Sequence, residues 1–585
     1  MSTESITYFR ASVSTLAIFM LMFSYLPSGD CEALSQQELP PDTQPAAVTE
    51  DSPDDQTLFS TFVSYELAST GEIENELIVV PALDFAALPG GVPYYSQESV
   101  RETACLANFV IGLRMATRIY FADLISYCED QADQAVITCP PDLEMSCEDY
   151  IEQERHYIRL VCLGESGVAP DIDGGLNVID DLLIFLEFEN VALGDEVLER
   201  EIQLAHEIRA NMVEEGPAPI YQDSGTSSNP WSQPGAGGTG ATPGGAQDFG
   251  YIREVVAEGF IPLPSHLDAA GLFSEHDLPI ESDIPCQQLL CIRTALGLAP
   301  DFETGEISHY AQIGFSSGID MDTFERSPLN LVIVLDKSGS MFDAAGQNLT
   351  KIEAVKYALT LMVDKLNADD RLAIVVFNTV ASVVLDSTPV TDPDGIKALI
   401  ASINAGGGTN IEGGLAAGFQ IAAESSDQNE RLDRVMLLTD ALPNVGIIGE
   451  SAFVTMAQEY ADQGIGLSTF GVGFNFGQEL VLEISNIRGG NYFFLEDADR
   501  IEEVFTVDFD YLVTPLAYEF SLHLSPGPAF RTRDAHGVSM MDNNVAELGT
   551  ATVFLSRNRG AILLRLTNKQ NEVESFGLRQ SGMDW

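Results

Sequence analysis

The chain has 585 residues, 45% of them hydrophobic, which is enough apolar material for several buried cores and a poor fit to global disorder or a multi-span membrane protein. Its 89 Asp and Glu against 28 Lys and Arg leave a formal net charge of −61. That balance excludes a nucleic-acid partner, since no basic patch offsets the repulsion between polyanions, and excludes docking on anionic lipid through a polybasic segment; it suits cations, high-salt surroundings and solubility.

Residues 1–33 are expected to form a signal peptide or signal anchor. Ala11 to Leu26 is an apolar run, too short for a spanning helix of about 20 residues and of a length suited to a secretory h-region. Cleavage after Ala33 would put a small residue at the cut. Cys31 opens a lipoprotein reading, although Asp30 just before it is wrong for that signal. An uncleaved anchor is the third reading. All three export the chain, to a bacterial periplasm or cell surface, and attach it to a membrane only through this segment. Seven cysteines then remain, and five of them (Cys105, Cys128, Cys139, Cys147, Cys162) lie close together in sequence. No C-x-x-C pair or finger spacing suggests zinc, so disulfides are expected, with Cys286 and Cys291 as a local pair and one thiol left over.

Residues 34–57 are rich in Pro, Asp, Gln and Thr, the composition of a disordered tether. Residues 58–214 read as a mainly helical, Cys-containing region, helical beyond residue 100, with long apolar periodicity over Val100–Tyr127 and Ile179–Glu215. Asp171-Ile-Asp173-Gly-Gly-Leu-Asn177 is half of a calcium loop without its closing Glu, and reads as a capped turn before a helix. His206-Glu207 lacks a second His four residues on and reads as solvent-facing helix. Residues 215–247 are expected to be a linker, because seven glycines and three prolines fall between Ser224 and Gln247.

From Leu329 strands and helices alternate. Leu329–Leu335 is a continuous apolar run fit for a strand buried on both faces, and it runs into Asp336-Lys-Ser338-Gly-Ser340. Helical spacing follows at Ile352, Val355, Leu359, Met362 and Leu366; then come a strand at Leu372–Phe377 and an antiparallel edge strand from Ala381. Ile396–Ile403 reads as a helix. Gly406-Gly-Gly-Thr409 is a glycine loop before the helix Ile411–Ala423, and Val435–Thr439 is a strand ending at Asp440. Further strands are expected at Gly466–Gly471 and Asn491–Leu495. The pattern predicts an α/β, doubly wound, mostly parallel sheet, whose ligands bind at the carboxyl ends of the strands. Asp336, Ser338, Ser340, Thr409 and Asp440 fall there. Two carboxylates and three hydroxyls are hard oxygen donors, suited to Mg²⁺, with Mn²⁺ or Ca²⁺ as alternatives.

D-x-S-G-S, then G-G-T, then T-D on alternating strands and helices resembles the von Willebrand factor type A (VWA) domain. The resemblance covers about 185 residues and implies a complete metal-ion-dependent adhesion site (MIDAS) at Asp336, Ser338, Ser340, Thr409 and Asp440. Ala441 departs from the common T-D-G, while Asn444 and Gly446 keep the usual loop. By the resemblance the VWA domain spans 329–515, and residues 248–328 look like the preamble of exported bacterial VWA proteins of the calcium-activated chloride-channel homologue type. Residues 516–585 alternate apolar and polar residues and read as a β-rich, sandwich-like region. In relatives this region packs with the preamble around the inserted domain.

The resemblance implies an exported, non-enzymatic adhesion or scaffolding module. A protein partner's Asp or Glu would complete the metal shell, and the segment near Ala498–Leu512 would move with ligation. The alternatives are a metal-free structural VWA scaffold of the cell envelope and a Mg-dependent hydrolase. The hydrolase is disfavoured because no His lies in these loops and His276-Asp277 reads as a structural pair. A role beside a cytoplasmic ATPase conflicts with export.

Overall fold

The computed structural model describes residues 57–81, 98–137, 170–194, 196–213, 239–243, 249–280, 286–320, 323–344, 349–427, 431–440, 450–472, 487–495, 498–526, 530–536, 539–541 and 545–568, with 151, 155, 158 and 162 singly. The expectations for residues 1–33, for most of the 34–57 tether and for 569–585 lie outside them. Among the described residues no helix is long and apolar enough to cross a membrane.

A hairpin comes first, β1 (Thr57–Leu67) and β2 (Ile73–Pro81). Four helices follow: α1 (Glu98–Tyr120), α2 (Ala122–Gln134), α3 (Ile172–Leu193) and α4 (Glu199–Val213). Strand β3 (Thr239–Pro243), helices α5 (Phe249–Ala257) and α6 (Ala269–Glu275), and the hairpin β4 (Cys291–Pro300) and β5 (Ile307–Ser317) lead to the α/β unit. That unit contains β6 (Leu329–Asp336), α7 (Lys351–Lys365), β7 (Arg371–Phe377), β8 (Ala381–Pro389), α8 (Pro393–Ala401) and α9 (Ile411–Ser425). It continues with β9 (Leu432–Thr439), α10 (Glu450–Ala461), β10 (Gly466–Val472) and β11 (Asn491–Leu495). Helices α11 (Ala498–Glu502) and α12 (Phe509–Leu512), joined through a π-helical turn at Glu503–Val507, close it. Last come β12 (Pro515–Pro526), β13 (Phe530–His536), β14 (Ser539–Met541), β15 (Val545–Ser556) and β16 (Ala561–Asn568).

The α/β unit is a six-stranded sheet in the order β11-β10-β9-β6-β7-β8, parallel except for the antiparallel edge strand β8. Every residue of β6 is buried. Leu331, Ile333 and Leu335 pack with Val355, Leu359 and Met362 of α7, while Val332 and Val334 pack with Leu415 and Phe419 of α9. The period-2 alternation of a strand thus feeds two helical layers, which is why its sequence is apolar throughout. A capping box at Thr350 and Glu353 starts α7, and the Asn410 side chain accepts the Gly413 N–H to start α9. This is the doubly wound sheet that the strand–helix alternation predicts.

The remaining strands build one ten-stranded sheet, β13-β16-β5-β3-β15-β12-β1-β2, with β4 on β5 and β14 on β15. It folds over itself. Phe315 of β5 meets Phe520 of β12 with ring centroids 5.6 Å apart, although two strands separate β5 and β12 in the ladder. Val63, Tyr65, Ile313, Leu522 and Ile562 share the enclosed core. The outer face of β4, β5 and β16 carries Ala295, Ala299, Tyr310 and Leu563 against the helical layer of α1, α3, α4, α5 and α6.

Among the described residues, 58–214 are helical from Glu98 on, while the strands before that complete the C-terminal sheet, since β1 pairs along β12. One expectation needs correction. The linker 215–247 contains β3, whose backbone pairs with β15 and β5; Gly and Pro weaken side-chain packing, yet Thr239–Pro243 is held by ladder hydrogen bonds. The preamble 248–328 contributes β4 and β5, so the β-rich region is not confined to 516–585.

Cys286 and Cys291 form the local disulfide, and Cys128 pairs with Cys162. Cys105 is a buried free thiol on α1, and Cys139 and Cys147 lie outside the described residues. Asp171 caps α3 by accepting the Gly174 N–H, the capped turn that the sequence suggests. His206 faces solvent on α4.

Candidate metal centre

Asp336 is the last residue of the central strand β6, and its carboxyl is fully buried. One oxygen, Oδ1, accepts the Ser338 N–H at 2.7 Å, and Oδ2 accepts the Thr439 hydroxyl at 2.7 Å. Burial pushes the carboxyl up to about 6, against the pull of those two hydrogen bonds, and the neighbouring Asp440 adds to the rise.

A single 3₁₀ turn, Gly339–Phe342, follows β6 and brings both serines back over the sheet. The hydroxyls of Ser338 and Ser340 are 3.0 Å apart. Ser340 donates to Asp440 Oδ1 at 2.9 Å. Asp440 follows β9, the neighbour of β6, so the parallel register carries both aspartates to the same end of the sheet. A continuous chain of polar contacts therefore runs from Thr439 through Asp336, Ser338 and Ser340 to Asp440.

Thr409 reaches the same place from the glycine loop. Gly339 N–H donates to the Gly407 carbonyl at 2.9 Å, and Gly406 N–H donates to the Lys337 carbonyl at 2.7 Å, so the two loops are tied by their backbones. Gly407 has φ +103, and a Cβ there would lie 2.8 Å from the Asn378 side-chain nitrogen. Only glycine satisfies both the conformation and the space. Thr409 itself is buried. The structure thus gathers all five predicted residues at one end of the sheet, four of them in one hydrogen-bonded string and Thr409 on the loop bound to it. Ala441, Asn444 and Gly446 lie outside the described residues.

Residues 330–507 match the family model for the von Willebrand factor type A domain. This segment of the chain is a von Willebrand factor type A domain. Over 289 residues the chain is 25% identical to the uncharacterised protein YfbK of Escherichia coli (strain K12), covering 48% of this chain and 49% of that protein. It is 32% identical over 184 residues to the uncharacterised protein sll0103 of Synechocystis sp., covering 32% and 41%. Human inter-alpha-trypsin inhibitor heavy chain H4 is 30% identical over 171 residues, covering 28% and 18%. The chain therefore spans about half or less of the length of these relatives. Among solved structures, a von Willebrand factor type A protein from Catenulispora acidiphila aligns with a TM-score of 0.33 at 15% identity, covering 49% of this chain and 67% of that one.

Two residues of the VWA domain belong to the centre without having been singled out from sequence. Thr439 stands directly before Asp440 and holds Asp336 Oδ2. Lys351 donates from Nζ to Asp440 Oδ2 at 2.9 Å, and both side chains are buried. A signal for Lys351 exists: it is the first residue of α7, where the positive end of the helix dipole disfavours a cation. A lysine placed against that field points to an anion nearby. His276, by contrast, sits in the helical layer bonded to Glu201 at 3.0 Å, and Asp277 pairs with Arg559.

The donor chemistry fits a hard divalent cation. The centre offers two carboxylates and three hydroxyls and no softer ligand among these residues, and the ammonium of Lys351 shows that positive charge is accommodated against Asp440. Asp336, Ser338, Ser340, Thr409 and Asp440 would hold the ion.

Proposed function

We propose that the chain is an exported, non-enzymatic binding protein whose VWA domain captures an acidic side chain of a protein partner through a divalent cation, Mg²⁺ by preference, held at Asp336, Ser338, Ser340, Thr409 and Asp440. The observation that carries this reading is the hydrogen-bonded string from the buried Asp336 to the buried Asp440 at the carboxyl end of the sheet. When bound, the ion supplies an electrophilic contact for a carboxylate. With Asp336 ionised, the two charges of a divalent ion cancel those of the two aspartates, so the ion's open position faces no net negative charge from the residues that hold it. A chain at −61 thereby presents a local site that attracts rather than repels an acidic group. Among the described residues of the centre, the Thr439 and Ser340 hydroxyls are spent on the aspartates and tie the string in place. That arrangement supports binding over hydrolysis. Export rests on the apolar run of residues 11–26 and is tested by fusing residues 1–57 to a reporter that matures only outside the cytoplasm.

The direct test is a thermal melt of the full chain in EDTA and in Mg²⁺, Mn²⁺ or Ca²⁺, beside Asp336→Ala. Metal at about 100 times its dissociation constant stabilises the wild type by roughly 2.7 kcal/mol, and the variant shows no shift. A wild type indifferent to all three ions leaves the domain as a metal-free scaffold.

A further inference from the structure

Lys351 is the feature of the centre that a bare oxygen cage does not need. Its side chain is 6% exposed and its ammonium holds Asp440 Oδ2 at 2.9 Å, while Oδ1 of the same carboxylate takes the Ser340 hydroxyl. Asp440 is thus satisfied on both oxygens without any ion. A second anion stands behind the lysine. Asp343 Oδ2 is 4.0 Å from Nζ and 70% exposed, and the Asp343 carbonyl accepts the Lys351 N–H at 3.0 Å, which fixes the two residues as neighbours. The flexible four-carbon stem of lysine lets the ammonium choose between a buried and an exposed carboxylate without moving the helix. The position carries no benefit for α7 itself, because a cation at a helix start opposes the dipole.

We propose that Lys351 is a tethered counter-cation of this centre, which occupies Asp440 when no divalent ion is bound and moves toward Asp343 when one arrives. The inference rests on the reading of Asp336, Ser338, Ser340, Thr409 and Asp440 as a metal site. Its consequence is a built-in competition. The domain stays folded without metal because Asp440 is never left as an unpaired buried charge, and the metal binds more weakly than the oxygen donors alone would allow, because it must displace an ammonium. Asp343 sets the balance from the other side by offering the displaced lysine a partner.

The experiment is calorimetric titration of the full chain with MgCl₂, with far-ultraviolet circular dichroism and a melt in EDTA as folding controls. Lys351→Met keeps the length of the side chain and removes its charge; it is expected to tighten Mg²⁺ on the order of tenfold or more, because one positive charge beside the site is gone. The same variant melts lower than wild type in EDTA and recovers in Mg²⁺. Lys351→Arg retains wild-type-like weak binding. Asp343→Asn weakens Mg²⁺, since the lysine loses its alternative partner, and this exposed position keeps the test open should Lys351→Met not fold. Metal binding in Lys351→Met alone, with none in the wild type, also supports the proposal. Folded Lys351→Met with wild-type or weaker affinity, or an unchanged affinity in Asp343→Asn, overturns the lysine's role while leaving the metal site standing. Silence of wild type and Lys351→Met alike overturns the metal reading and this inference with it.

Discussion

Glu275, at the end of α6, shows how single side chains fix the pH range of the helical layer. Burial by itself would raise its carboxyl, but Arg253 at 2.6 Å and Arg200 at 3.7 Å outweigh that and hold it at about 2. Next to it His276 is bonded to Glu201; burial lowers the imidazole, and Glu201 with Glu275 more than reverses this, so its affinity for a proton is raised. The two groups act at opposite ends. A depressed acid stabilises the fold above its unfolded value near 4.5, and that contribution is lost as pH falls from there toward 2; it amounts to roughly 3 kcal/mol for Glu275. A raised histidine stabilises the fold fully below about 6.5, and its contribution fades as pH climbs through the higher folded value. Urea unfolding across the pH range is expected to show both losses. Glu275→Gln reduces the dependence between 4.5 and 2, to which the lowered Glu201 still contributes, and His276→Gln removes the raised histidine's share on the alkaline side. An unchanged acid limb in Glu275→Gln would mean that the arginines do not hold this carboxylate. The sequence suggests a hydrogen-bonded His276-Asp277 pair, but the structure gives the two side chains separate partners. Glu201 and Arg559 are far away along the chain, and only the fold brings them there.

Among the elements, α9 does most to place the candidate centre. Its glycines 414 and 418 are one turn apart and face the sheet. A Cβ on Gly418 would come within 2.3 Å of Val334 Cγ2, and one on Gly414 within 2.5 Å of the Phe377 ring. The helix therefore lies close on β6 and β7, and its N-terminus delivers Thr409 and Asn410 to the strand ends. Gly418→Ala forces α9 outward, at a cost of roughly 1–3 kcal/mol by overpacking. Its melt in EDTA should fall accordingly, and its Mg²⁺-induced stabilisation should shrink because Thr409 moves with the helix. A wild-type melt would show that the contact relaxes freely. Here the sequence was legible. Continuous apolar runs of strand length, each followed by helical spacing, specify a buried parallel sheet, and the polar residues just after them fall at its carboxyl end. The hairpin at 57–81 was less so. Its signal was present, in alternating Phe59, Thr61, Val63 and Tyr65 and the turn at Gly71 with φ +70, but a lone hairpin has no stable place until β12 is beside it. Strand β3 gave even less, because its backbone pairing leaves no mark in a Gly- and Pro-rich composition.

At the scale of the molecule, the VWA domain is an insertion between β5 and β12 of a sheet assembled from four separate stretches of chain, and the joints are ionic as well as apolar. Arg557, beyond β15, pairs with Glu503 and Asp508 at the π-helical turn. Arg326 at the entrance to the domain bridges Asp370 and Asp510. Arg488 bonds Glu66 of β1 and lies 3.9 Å from the Tyr518 ring centre. The sheet leans on the N-terminal residues in the same way: β1 pairs with β12 from Leu67 opposite Ala517 to Phe59 opposite Pro526, and α1, α3 and α4 cover the outer face of β4, β5 and β16. Removing residues 1–247 would therefore strip one whole edge of β12 and uncover Ala295, Tyr310 and Leu563 together. An unpaired edge beside an exposed apolar face is a template for association. Such a fragment is expected to elute as soluble aggregate, or to be recovered only from the insoluble fraction, whereas the full chain melts cooperatively. Size-exclusion chromatography with light scattering checks this. A monomeric fragment with a sharp melt would show that the sheet and the VWA domain stand without their N-terminal cover. It would also shift the role of α1–α4 from support of the fold toward a surface of their own.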